Sequence, residues 1–368
     1  MPHDPKRETV LHLRGARSFA AGRFESVARE AFDDGWTPEE PDARELATQV
    51  TVERARSIIS RNDSPDVGFE QSINPYRGCE HGCIYCYARP SHAYLELSPG
   101  LDFETRLFAK TNAAELLRAA LAKPGYAPSP IALGANTDCY QPIERKYRIT
   151  RQILEVLAEC GHPCTIVTKS ALVERDLDLL ANLASRNLVK VFVSIGTLDR
   201  VLARKLEPRA ASPQRRLDVL KNLSGHQIPC GVMVAALIPA LNDKTLEHVL
   251  EAAAAAGAAE AAYVVMRLPN ELKTLFREWL DEHYPERAAH VMSVIRDLRG
   301  GRDNDPRFGA RMRGTGNYAE LIAKRFEIAC RRFGLNGHGS GRKSPRLDCS
   351  RFRPPAAPAA PTPQMALF

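Results

Sequence analysis

The chain is short of several things. Aromatic residues make up only 7% of its 368 residues, and just two of them are Trp. No run approaches the roughly 18 consecutive apolar residues of a membrane-spanning helix. The Ala-rich stretch 252–262 is broken by Gly257 and Glu260. The opening MPHDPKRETV lacks an apolar core, so no signal peptide is expected and the cytoplasm is the expected compartment. No solenoid-type repeat occurs. What remains is an ordinary globular composition, 44% hydrophobic and 26% charged. It suffices for one large α/β domain with extensions, or for two domains.

The net charge of +7 is unevenly placed. Residues 296–353 carry fifteen Lys and Arg against six Asp and Glu, a surplus of nine, so everything before them sums to −2. A basic segment of this kind suits an anionic partner, with nucleic acid, DNA in particular, the expected one. The alternative is a solvated surface.

From about residue 70 the pattern alternates. Short β-branched runs at 71–76, 130–135, 164–168, 189–195, 230–236 and 261–267 read as strands. Between them, helical periodicity covers 111–122, 150–160, 175–186, 212–224 and 244–256. Gly161 and Gly257 are expected to end two of these helices, and Asp243 to cap the last. A weak helical stretch is read near 52–60. Further helices are predicted at 271–283, 286–299 and 317–333. Six strands alternating with helices imply parallel βαβ units, as a partial barrel or as a doubly wound sheet. Either fold puts its chemistry at the C-terminal ends of the strands.

Nine cysteines are present, and three of them, Cys79, Cys83 and Cys86, stand together in GCEHGCIYCY. The spacing is C-x3-C-x2-C, just after the first predicted strand. Gly78 and Gly82 let the backbone turn tightly around one centre. Structural zinc takes four ligands. Only three cysteines are local here, and His81, inside the first spacer, would crowd the turn as a fourth. Three thiolates suit instead a [4Fe–4S] cluster with one iron left open. Cys160, Cys164, Cys230 and Cys330 lie in apolar or helical contexts and read as core.

This loop, with Tyr85 before the third cysteine and six βα units around it, resembles the radical S-adenosylmethionine (SAM) superfamily. NPYRGCEHGCIYCYARPSHAY, LGANTDCYQPIE at 133–144 and VTKS at 167–170 are similar to its spore photoproduct lyase-like branch. The resemblance implies an α/β partial (β/α)6 barrel over 68–268. It is flanked by an N-terminal extension (1–67), a helical segment (269–333) and a Gly/Pro-rich tail (334–368). It implies a [4Fe–4S] cluster on Cys79, Cys83 and Cys86, and an external electron donor. SAM would be cleaved to a 5′-deoxyadenosyl radical. The resemblance places Tyr85 and Tyr87 beside the adenosine, and Asn136, Thr137 and Asp138 at the SAM amino group. It places Lys169 at the carboxylate and Ser194 at the ribose. Glu207, Arg209 and Arg267 are weaker candidates. The branch returns a hydrogen atom from a cysteine beside the second-strand motif. Ala135 and Asn136 stand there instead, and Cys139, which follows, is the candidate substitute.

The chain ends QMALF after a Pro/Ala-rich linker. Gln364, Leu367 and Phe368 resemble the peptide that bacterial replication and repair proteins insert into the sliding clamp, with Leu and Phe as apolar anchors. The implied function is a radical SAM enzyme acting on nucleic acid, lyase-like and directed to DNA repair. The alternatives are modification of a protein or small molecule, and a non-catalytic iron–sulfur protein recruited to the clamp.

Overall fold

The computed structural model describes residues 14–24, 47–338 and 344–355; the FDDGW and QMALF segments lie outside them. Among the described residues no helix is long and apolar enough to cross a membrane.

The six expected strands form one sheet. They are β3 (Gln71–Ile73), β6 (Ile131–Leu133), β7 (Cys164–Thr168), β8 (Val189–Ser194), β9 (Cys230–Leu237) and β10 (Glu260–Val265). All pair in parallel in chain order, with Ile131 opposite Cys164 and Val191 opposite Cys230. Helices Ala113–Leu121 (α1), Ile149–Glu159 (α2), Leu177–Ala184 (α3), Pro213–Gly225 (α5) and Leu246–Ala255 (α6) connect them. A further helix, Arg200–Leu206 (α4), inserts after β8 and was not expected. Alternation in β7, β8 and β10 buries every second residue against the main core, which Leu133, Ile166, Val191, Val232 and Val265 share. Cys160, Cys164, Cys230 and Cys330 lie in that core, as expected. The sheet does not close: β10 is one edge, and the antiparallel strand β2 (Ile59–Arg61) is the other. This is a partial barrel of the expected kind.

Three readings change. The stretch 52–60 is not helical; Gln49–Glu53 (β1) and β2 are strands, and the alternation in QVTVE outweighs weak helical spacing. The first expected strand splits at Asn74-Pro75, because Pro has no N–H for a ladder. Tyr76–Arg77 (β4) joins β1 and Arg106–Lys110 (β5) in a second, three-stranded sheet. Asp243 does not cap α6. It lies in a 3-10 turn, where its carboxylate accepts the Tyr318 hydroxyl. The glycine stops hold: past Gly161 and Gly257, the amides of His162 and Ala258 reach back to the carbonyls of Leu157 and Ala253, with both glycines at positive φ.

The C-terminal helices Leu272–His283 (α7), Pro285–Leu298 (α8) and Asn317–Arg332 (α9) pack outside the sheet. Segment 299–313 bridges the open side. Arg299 donates to the carbonyls of Val265 (3.1 Å) and Met266 (2.6 Å) at the β10 end. Gly309 N and Arg311 reach Asp66, between β2 and β3. Two charges of the basic surplus are answered by acids outside the segment, Arg325 by Glu247 and Arg311 by Asp66, and within it Arg296 pairs with Asp303.

Two buried histidines set an acid limit. His92 bonds the Arg106 carbonyl (2.9 Å), and His162 contacts the Tyr126 hydroxyl (2.8 Å). Burial lowers each to about 4. Below about pH 6.5 the unfolded chain takes protons on these rings first. The folded chain refuses them until about pH 4. Stability therefore falls as pH drops through that window, by on the order of 3 kcal/mol per ring. Urea midpoints measured from pH 7 to 4 will show the decline, and His162→Gln will remove about half of it, the His92 share remaining. A profile level across that window would contradict the assignment.

Candidate active site

The cysteine loop hangs between the two sheets. It leaves β4 at Arg77 and returns to β5 at Arg106. Gly78 and Gly82 both have positive φ. At Gly78 a Cβ would stand 2.5 Å from Leu107 Cδ2 and 2.9 Å from the Phe103 carbonyl oxygen, so no larger residue fits. The Cys79 amide donates to Phe103 O (2.9 Å), and the Cys86 amide to Cys83 O (3.2 Å).

A buried arginine holds the loop from behind. Arg89 is fully buried and donates to the carbonyls of Cys83 (2.9 Å), Gly82 (3.2 Å), Pro99 (3.2 Å) and Gly100 (2.9 Å). It also pairs with the buried carboxylate of Glu104. Glu104 in turn accepts the amides of Gly15 (2.9 Å) and Ala16 (2.8 Å). On the other flank the Gln141 side chain bridges the Glu80 amide and the Gly78 carbonyl, both at 3.0 Å. Arg209, a weak candidate in sequence, pairs with Glu80 at 3.0 Å and so positions the loop from outside.

The strand ends roof the loop. Asn74 Oδ1 accepts the amides of Asn136 (2.9 Å) and Thr137 (3.4 Å), and Thr137 Oγ1 donates to Tyr76 O (2.9 Å), joining the ends of β3 and β6. Asp138 joins β6 to β7. Its Oδ1 accepts the Tyr140 amide and the Thr168 hydroxyl, each at 2.8 Å, and its Oδ2 accepts the Lys169 amide at 2.7 Å. His81 Nδ1 lies 3.3 Å from Oδ2, close but without hydrogen-bond alignment. Burial pushes this carboxyl up, but His81 and the hydrogen bonds outweigh it and hold it at about 2.

Lys169 and Tyr85 meet over the loop, the ammonium 5.7 Å from the ring centroid. The Tyr85 hydroxyl donates to Glu207, which also pairs with buried Arg216. Arg216 Nη1 donates to the Ser194 carbonyl at 2.9 Å, tying the end of β8 to the same network. Burial raises Glu207, and Arg216 with Lys169 brings it below its ordinary range. Tyr87, half exposed, donates to the Ala135 carbonyl and has Arg267 over its ring at 5.4 Å. The structure thus gathers the three cysteines, Tyr85, Tyr87, Asp138, Lys169 and the backbone of Ser194 around one place.

Cys139 is turned elsewhere. It is fully buried in the main core, and burial raises its thiol well above its usual range. Asp138 faces the loop, and the next side chain points inward. Sequence reasoning missed Arg89, Glu104, Asn74, Gln141 and Arg216. Asn74, Arg89 and Gln141 stand inside the stretches that carry the resemblance without being marked there, and for charged Arg89, Glu104 and Arg216 exposure is the usual reading.

The radical SAM superfamily profile matches residues 73–253. An uncharacterised protein of Mycobacterium bovis is 38% identical over 230 residues, covering 62% of this chain and 68% of the relative. One from Methanocaldococcus jannaschii is 28% identical over 242 residues, 66% of this chain and 86% of that one. Spore photoproduct lyase complexed with dinucleoside spore photoproduct superposes with a TM-score of 0.59 at 16% identity, covering 83% and 86% of the two chains. A mutant of that lyase with bound AdoMet and the same ligand gives 0.57 at 16% identity, covering 82% and 85%. The chain belongs to the radical SAM superfamily, and its fold is that of spore photoproduct lyase. The family implies SAM and an iron–sulfur cluster.

The donor set fits that group. All three cysteines are free. Burial raises Cys79 and pushes Cys83 up to about 12, and neighbouring cysteines add to the rise at both. Among the described residues no three His, Cys, Asp or Glu side chains stand close enough for a single ion. Cys79, Cys83 and Cys86 would hold the iron–sulfur cluster that the family implies.

Proposed function

We propose that this protein is a radical SAM enzyme with a [4Fe–4S] cluster on Cys79, Cys83 and Cys86, acting on nucleic acid. One observation carries the reading. Buried Cys79 and Cys83 and the partly exposed Cys86 stand on one tightly held loop that carries no fourth cysteine, under the C-terminal ends of the barrel strands. Cluster and SAM together, when bound, supply reductive cleavage of a sulfonium. The chain's own residues do the rest. Arg89 and Gln141 fix the loop, Tyr85 and Tyr87 wall the site, and Lys169 offers a cation for the SAM carboxylate. Asp138 ties β6 to β7 through three hydrogen bonds, and its Oδ2, which accepts only one of them, has room for the SAM amino group beside Asn136 and Thr137.

The nucleic-acid substrate rests on the shared fold with a lyase that was solved with a dinucleoside lesion, and on the C-terminal basic segment. The clamp-like QMALF tail fits the same reading as a recruitment peptide. Cys139, inside the core, is not placed to return a hydrogen atom, so a product distinct from that of the spore lyase reaction is expected. The test is anaerobic. The protein is reconstituted with iron and sulfide and given SAM and a strong reductant, with and without UV-irradiated DNA. We expect 5′-deoxyadenosine, and more of it with damaged DNA. A reducible cluster that yields none in either arm would favour the non-catalytic iron–sulfur protein. Formation without stimulation by DNA would favour a protein or small-molecule substrate.

A further inference from the structure

Arg267 is out of balance with its surroundings. It stands just past the C-terminal end of β10, at the rim of the site, and is half-buried. Its Nε is shut from solvent and has no hydrogen-bond partner. Its Nη1 lies 3.5 Å from Met312 Sδ, a weak acceptor. Among the described residues no carboxylate pairs with it. The nearest acids are already taken: Asp66 accepts Arg311 and the Gly309 amide, and Asp305 holds Arg307.

Its neighbours make matters worse. Arg299, buried just past the end of α8, satisfies four backbone carbonyls but leaves its own Nε unpartnered. Burial lowers both Arg267 and Arg299. Arg311 adds to this at Arg267, and Arg267 at Arg299. Three guanidiniums thus crowd one edge of the barrel, held there by the 299–313 bridge. A desolvated cation without a counter-charge is costly, and an arriving anion would relieve it.

The other contact names the class of anion. Arg267 lies over the ring of Tyr87, and Tyr87 is 47% exposed at the rim. An accessible aromatic face beside an unpaired guanidinium is what a nucleotide uses: the ring for a base, the fork of N–H donors for its phosphate. We propose that Arg267 seats a backbone phosphodiester of the substrate, next to a base resting at Tyr87. This rests on the nucleic-acid reading above and assigns the contact that would carry it. Lys169, at the end of β7, remains the cation for SAM.

Binding without turnover tests it. The reconstituted holoenzyme is titrated with SAM, then with thymidylyl-thymidine or its uncharged methylphosphonate analogue, at low salt. The wild type should prefer the charged dinucleotide by about tenfold. Arg267→Met should bring the two ligands within about twofold of each other, and Arg267→Lys should keep part of the preference. SAM affinity should be unchanged in both, and the melting temperature of Arg267→Met should not fall, since an uncompensated charge has gone. Arg267→Gln serves as a second variant should Met disturb the fold. An undiminished preference in Arg267→Met, equal binding of both ligands by the wild type, or no binding of either would overturn the proposal. So would a loss of SAM affinity on substitution, which would give the seat to the SAM carboxylate. None of these readouts depends on 5′-deoxyadenosine, so failure here and failure of the catalytic reading are separable.

Discussion

Arg89→Met will cost about 3–5 kcal/mol of stability and strip the protein of bound iron. The magnitude follows from breaking one side of a buried ion pair. Arg89 and Glu104 both have fully buried side chains, and the pair lies directly behind the cysteines. Met keeps the apolar stem as far as the Nε position but donates nothing. Glu104 would keep its charge and lose its counter-ion, and the carbonyls of Gly82 and Cys83 would lose their donors. Those carbonyls belong to the loop itself, so the damage falls on the positions of Cys79 and Cys83. Glu104→Gln provides the contrast. The Gln amide oxygen keeps one of the Gly15 and Ala16 amides, which bond different oxygens of Glu104, and Arg89 keeps its four carbonyl acceptors, so the loss should be smaller. Denaturant midpoints together with iron per chain after reconstitution measure both effects. A loss under about 1 kcal/mol with full iron content would mean that other contacts set the loop.

These two residues also show where the sequence stops being legible. The C-x3-C-x2-C spacing and the alternation of β-branched runs are local patterns, and they led to the cysteine site and to all six parallel strands. Arg89 sits in a polar run, ARPSHAY, and Glu104 in LDFETR. Nothing local tells a buried charge from a solvated one; the difference lies in a partner fifteen residues away in the chain. The same holds for the basic segment. Its charge surplus is visible by counting, yet Arg325 answers Glu247 and Arg311 answers Asp66 across long separations. Counting gives the sign of the segment and not how much of it faces solvent. The small three-stranded sheet was hidden for another reason. β4 is two residues long, too short for any period to show. Asp138 was expected at the SAM amino group, and the geometry shows what the sequence does not, that it also holds the turn after β6, bonded to Tyr140, Thr168 and Lys169. The direction of the Cys139 thiol needed the backbone of the β6 turn, which no spacing encodes.

Gly15→Ala will separate the N-terminal segment from the cysteine loop while leaving the barrel folded. A Cβ on Gly15 would stand 1.7 Å from the carbonyl oxygen of Gly82. That oxygen has no room to retreat. It accepts Arg89, and the Gly82 Cα is itself backed by Glu104, which a Cβ there would meet at 2.6 Å. The clash is backbone against backbone, so residues 14–24 must lift away. Lifting them removes the Gly15 and Ala16 amides from Glu104 and the Arg14 guanidinium from the Glu104 carbonyl. None of these groups belongs to the main core, whose packing is unchanged. The melting temperature should therefore move little, because the cooperative barrel sets it. Local opening should respond instead. Amides of Gly15, Ala16 and the 79–89 loop will exchange at least about tenfold faster, equivalent to about 1.4 kcal/mol of lost local protection. With the cover gone, water and oxygen reach the loop, and the reconstituted cluster will bleach faster in air than in the wild type. Exchange and bleaching both at wild-type rates would mean that the segment rests on the loop without guarding it.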